Sequence, residues 1–150
     1  MNKSKRVRMM RKALPFEVIA LSLLDAADQP IDYLTFHNNS APINFTVRLA
    51  LYLPAPLSAP AAGVYGLVTT SLAAPFPALA QPTVSVPPDL EPGLVIVKLS
   101  CQVVGTDLAA HSRLHLLLSY APVGPADPQL NDLFWKGVFL NTVMPLEVLK

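Results

Sequence analysis

The chain has 150 residues, one cysteine and sixteen prolines, with 14% charged and 52% hydrophobic side chains and a net charge of +1. This length points to one domain, the single Cys101 excludes an intrachain disulfide, and a charged fraction well below the usual one of about 25% suggests that a partner covers part of the surface. The uncharged stretch Leu49–Pro88 is long enough to cross a bilayer but holds half of the prolines, which would break a spanning helix repeatedly.

Residues 1–12 hold Lys3, Lys5, Arg6, Arg8, Arg11 and Lys12 and no acid. The other five basic residues and all ten acidic ones lie in residues 13–150, whose net charge is −5. A basic arm is thus joined to a mildly acidic body. Six cations so close repel one another and form no core; such arms contact nucleic acid, an anionic membrane or an acidic protein surface. The apolar run Ala13–Leu24 imitates a signal peptide, but Pro15 and Glu17 interrupt it, and it is expected to be retained.

Phe16–Leu24 is a first strand candidate, with Pro15 suited to a strand start. Asp25–Asp32 is a turn rich in Asp and Pro, followed by the β-prone run Tyr33–His37 and a second turn, His37–Pro42. Ile43–Leu53 is the clearest strand. Ile43, Phe45, Val47, Leu49, Leu51 and Leu53 alternate with Asn44, Thr46, Arg48, Ala50 and Tyr52, the period of a half-buried antiparallel strand. Its second face is polar at first and turns neutral from Ala50 onward.

Pro54–Gly63 is extended and polyproline-like, Val64–Leu72 is a strand rich in β-branched and aromatic residues, and Ala73–Gln81 is again extended and broken by proline. Thr83–Val86 is a short edge strand bracketed by proline. In Leu94–Val104, Val95, Val97, Leu99, Cys101 and Val103 face one way and Lys98, Ser100 and Gln102 the other. Arg113–Ala121 turns Leu114, Leu116 and Leu118 inward, so residues 94–121 read as a hairpin with a loop of several residues. A short helix is expected near 128–136: Asp127 suits the N-cap, Pro128 the first helical position, and Gly137 the stop. Val138–Val143 is a strand that Pro145 breaks, leaving Leu146–Leu149 as a terminal edge segment.

These elements predict an all-β fold: a single antiparallel β-sandwich or barrel, jelly-roll or Ig-like, over residues 13–150 behind the arm. Trp135 lies beyond the single cysteine, so no Cys–Trp–Cys framework chooses between the two topologies.

No motif names a reaction. His111 and His115 share a face, and His37 and Cys101 complete the candidate ligands, but neither CxxC nor HExxH accompanies them. GxSxG, the P-loop and GxGxxG are missing too. Cys101 reads as a small core hydrophobe rather than a nucleophile. Asp25, Asp28 and Asp32 read as a solvated turn rather than a calcium loop, since Pro30 lies inside their spacing. No catalytic residue, metal, cofactor or small-molecule substrate is expected.

What remains is interaction surface. The arm residues Lys3, Lys5, Arg6, Arg8, Arg11 and Lys12 are expected to contact a polyanion or a partner. The two proline-rich stretches, through Pro54, Pro56, Leu57 and Pro60 and through Pro75, Phe76, Pro77 and Pro82, are expected to form an inter-subunit surface. The pattern is similar to viral β-barrel coat proteins in general, with no residue motif that identifies a family. It implies a structural subunit of a large assembly: a virion coat, small capsid or decoration protein whose partners are copies of itself and other subunits, with nucleic acid or an anionic membrane at the arm. The alternative is a cellular β-sandwich binding or adhesion module of pilus or periplasmic type, in the periplasm or at the cell surface.

Overall fold

The computed structural model describes residues 14–37, 42–56, 62–73, 78–86, 90–104, 108, 111–122 and 138–149. The arm, the helix expected near 128–136, Trp135, Leu57, Pro60, Pro75, Phe76 and Pro77 lie outside the described residues. Among the described residues nine strands run in chain order: β1 (Glu17–Leu24), β2 (Pro30–Ile31), β3 (Leu34–His37), β4 (Ile43–Leu53), β5 (Ala62–Thr69), β6 (Thr83–Val86), β7 (Gly93–Val103), β8 (Arg113–Pro122) and β9 (Val138–Leu149). They form a four-stranded sheet, β2-β1-β4-β7, and a five-stranded sheet, β3-β9-β8-β5-β6.

The predicted period-two strand is found with its boundaries unchanged. Six odd-numbered residues of β4, Ile43 to Leu53, are buried, and β4 pairs with β7 over eleven unbroken rungs. That register sets Phe45 beside Cys101, Val47 beside Leu99 and Leu49 beside Val97. The opposing sheet contributes Val64, Val68, Leu114, Leu116, Leu118, Met144 and Leu146 to the same cluster, with Leu34 and Phe36 from β3. Two sheets that each bury one face therefore close a sandwich core. Burying each such aliphatic side chain contributes roughly 1.5–3 kcal/mol.

The strand order decides between the two expected topologies. With β1, β4 and β7 as A, B and E, and β6, β5, β8 and β9 as C′, C, F and G, the order is immunoglobulin-type. The first strand is divided between the sheets: β1 pairs with β4, and β3 runs parallel to β9. That parallel pair departs from the expected all-antiparallel arrangement.

Two further expectations are corrected. Residues 94–121 do not form a hairpin: β7 pairs with β4, whereas β8 pairs with β5 and β9 in the other sheet. Alternation tells which face of a strand is buried but not which sheet the face belongs to. Pro145 does not break the last strand, and Leu146–Leu149 is no separate edge piece. β9 runs on through Pro145 because that residue sits at a handover, on the last rung with β8 (Arg113↔Pro145), while the β3 ladder begins at Leu34↔Leu146. A residue without an N–H is tolerated where one partner leaves and the next arrives.

The five-stranded sheet also buries part of its outer face. Leu67 and Leu117 are cross-strand partners, both fully buried, with Tyr65 and Val138 packed against them.

Candidate functional site

Two places on the sandwich carry features that the core does not need. The first is a pocket of about 470 Å³ lined by Thr70, Ser71, Leu72, His111, Ser112, Arg113 and His115. It arises where β5 and β8 part. Their ladder ends at Thr69↔His115, so the chain leaving β5 faces the chain entering β8 across a widening gap. Both walls are held by hydrogen bonds, backbone ones on the first and side-chain ones on the second. His111 N–H donates to Leu108 O at 3.0 Å, and Leu146 N–H donates to Ser112 O at 2.9 Å. On the other side Thr69 Oγ1 donates to Ser71 O at 3.0 Å, and Ala73 N–H donates to Ser71 Oγ at 3.1 Å.

His111 and His115, paired by spacing in the sequence, do share this pocket. Cys101 does not line it, being buried in β7, and the side chain of His37, at the end of β3, lies outside what the structure describes. No group of three His, Cys, Asp or Glu residues assembles among the described residues. His115 Nδ1 is buried without a hydrogen-bond partner. Burial pushes the Cys101 thiol up to about 12, and its Sγ lies 3.8 Å from Leu99 O, as suits a small core side chain. Burial also raises the Tyr120 hydroxyl. Asp25 and Asp28 lie in one turn, where Asp25 Oδ1 accepts from Ala27 N–H and Gln29 N–H, both at 2.9 Å, and Asp28 takes a positive φ of 61°; Asp32 lies past β2, which interrupts the turn expected over Asp25–Asp32.

The second place is the edge of β7 to which no strand among the described residues pairs. Its outward neighbours are apolar at one end. Leu94 is 64% exposed and Ile96 38%, and they pair with Tyr52, also exposed, and Ala50 on β4. Exposed Ile19 and Ala20 of β1 continue the patch. Toward the other end the same face turns polar through Arg48, Lys98, Ser100 and Gln102. Sequence reasoning noticed the change at Ala50 but passed over Leu94 and Ile96, whose even positions carry the same signal.

The expected proline surface is divided. Pro54 and Pro56 are exposed just past β4. Pro82 is buried and corrects the expectation: it extends the β5–β6 ladder, accepting a hydrogen bond from Gly66 N–H at 2.7 Å. Leu79 and Ala80, near the end of the run Ala73–Gln81, are drawn into the same ladder, since Val68 bridges Ala80 and Leu79 N–H donates to Val68 O.

No protein-family model matches the chain, and no curated protein matches it. Among solved structures the chain is similar to the C-terminal domain of wzt, at 13% identity and a TM-score of 0.49, over 92% of this chain and 75% of that one. It is similar at 10% identity and a TM-score of 0.39 to a CARDB domain from Pyrococcus furiosus solved in complex with di-metal ions, over 93% and 100% of the two chains. It is also similar to the ligand-binding region of serine-glutamate repeat protein A of Enterococcus faecium, at 9% identity and a TM-score of 0.29, over 87% and 98%. At these scores the likenesses add nothing to the fold, which rests on the chain's own sheet order and register.

Proposed function

We propose that this chain is a cellular β-sandwich binding module that joins a second copy of itself by strand addition along β7. The observation that carries the reading is the contrast between β7 and the other open borders. Strands β2, β3 and β6 are edges of two, four and four residues. The open part of β1 is interrupted by a bulge at Ile19. That of β9 carries Pro145 and a register shift next to Leu118. Short edges, bulges and prolines are the devices that keep sheets from pairing with other chains. β7 has eleven residues, no proline and no bulge.

In a constant-type immunoglobulin sandwich a D strand completes the sheet beside E. Among the described residues no strand hydrogen-bonds to that side of β7, although β6 approaches it at the rim. Strand addition supplies affinity through main-chain bonds, and the adjoining patch of Tyr52, Leu94 and Ile96 supplies apolar area. The low charged fraction fits a surface of this kind. The virion-coat reading takes the β body, the uncharged proline-rich stretches and the basic arm together; the arm and much of those stretches lie outside the described residues, and the β body fits a cellular module equally well.

Light scattering of the intact chain at about 100 μM tests the proposal. A dimer that Ile96→Lys or Ser100→Lys converts to a folded monomer supports it. A monomeric intact chain, or a dimer indifferent to both substitutions, overturns it.

A further inference from the structure

We infer that the pocket between the end of β5 and the start of β8 is a binding site for an oxyanion, a carboxylate or phosphate group on a small ligand. The charge and hydrogen-bonding character of its lining point one way. Arg113, His111 and His115 line it, together with the hydroxyls of Thr70, Ser71 and Ser112, and among the described residues no carboxylate does. Glu147, two residues beyond the Arg113↔Pro145 rung, is not part of the lining, and the only ion pair among the described residues is Lys98–Asp28.

Two of the lining groups have hydrogen-bonding capacity to spare. Ser71 Oγ already accepts from Ala73 N–H, which leaves its proton to offer. His115 has a buried Nδ1 with no acceptor near it. That nitrogen is unsatisfied as donor or as acceptor within the protein, and a ligand in the pocket that His115 lines can give the ring a partner. Arg113 is exposed at the mouth, and its planar fork suits a carboxylate or phosphate in bidentate fashion.

A metal is a poorer fit. Two imidazoles beside a guanidinium, with no third ligand among the described residues, do not make a cation site. The volume of about 470 Å³ lies within the range of small-molecule sites, roughly 300–1,000 Å³, and exposed Leu72 gives the ligand one apolar wall. This inference is independent of strand addition, since the pocket belongs to the five-stranded sheet and β7 to the other.

Titrating the intact chain with sodium phosphate and, separately, sodium acetate, at an ionic strength fixed with sodium chloride, reads the site through the ring resonances of His111 and His115. The expected result is saturable shifts with at least one of the two anions, with affinity reduced about tenfold or more in Arg113→Gln and unchanged in Lys98→Gln. The anion that saturates at the lower concentration identifies the preferred group. Shifts that rise linearly with both anions, or an equal loss in Lys98→Gln, would overturn the inference.

Discussion

Gly66 and Pro82 are locked together at the border of the five-stranded sheet. The Gly66 N–H donates to Pro82 O at 2.7 Å, and a Cβ added at Gly66 would fall 2.8 Å from Pro82 Cγ. The proline ring occupies the space a side chain would need, so residue 66 has to lack one. The same contact draws a proline-rich connection into the β5–β6 ladder, where Pro82, on an edge strand, can do without its N–H.

Gly66→Ala is accordingly expected to destabilise the fold. The proline ring is stiff and bonded through its carbonyl to the residue being changed, so relief requires a backbone shift. Overpacking of this kind costs about 1–3 kcal/mol. Urea denaturation followed by circular dichroism checks it, and an unchanged midpoint would mean that β6 lies less tightly against β5 than described.

Leu117 and Ile96 both sit on outer faces by alternation, yet they should respond differently. Leu117 is fully buried against Leu67, whereas Ile96 is 38% exposed. Leu117→Ala is expected to cost about 2–5 kcal/mol. Ile96→Ala should change the stability of the monomer by no more than about 0.5 kcal/mol. Denaturant midpoints of the two variants, compared at low protein concentration, settle the contrast.

Cys101 should be unreactive in the folded chain. With its thiol pushed from an ordinary 9.0 up to about 12, it stays protonated at pH 8, and the thiolate is the nucleophile. Labelling by a disulfide reagent at pH 8 should be slow in buffer and rapid in denaturant. Linkage gives a second consequence. Above about 9 the unfolded chain loses this proton while the folded chain keeps it, so stability falls as pH rises from 9 toward 12. Replacing Cys101 with Ala should flatten that part of the stability profile.

Asp25 closes the turn between β1 and β2 with one carboxylate oxygen that accepts two backbone N–H groups. Asp25→Ala leaves both donors to solvent and should cost about 1 kcal/mol, because the turn is exposed. Asp25→Asn keeps an acceptor oxygen and should lose less. Thermal melts of the two variants distinguish these outcomes.

The local facts of this fold are written in the sequence by itself. Alternation in Ile43–Leu53 and Leu94–Val104 gave the faces that β4 and β7 bury, since the period of a strand is two and one side has to leave water. The Asp-rich turn marked where β1 stops, whereas proline did not mark the end of pairing at Pro82 or Pro145. The assignment of strands to sheets came only from the tertiary structure. β7 and β8 have the same pattern whether they form a hairpin or lie in opposite sheets, and β9 passes through Pro145 only because β8 ends where β3 begins. The pocket follows the same rule: the sequence held the spacing of His111 and His115, but Ser71 comes opposite Arg113 solely because β5 and β8 are partners that separate beyond Thr69 and His115. Open edges are decided in this way too. An eleven-residue strand is interior or exposed according to what lies beside it, and that is a property of the assembled sheets rather than of the strand.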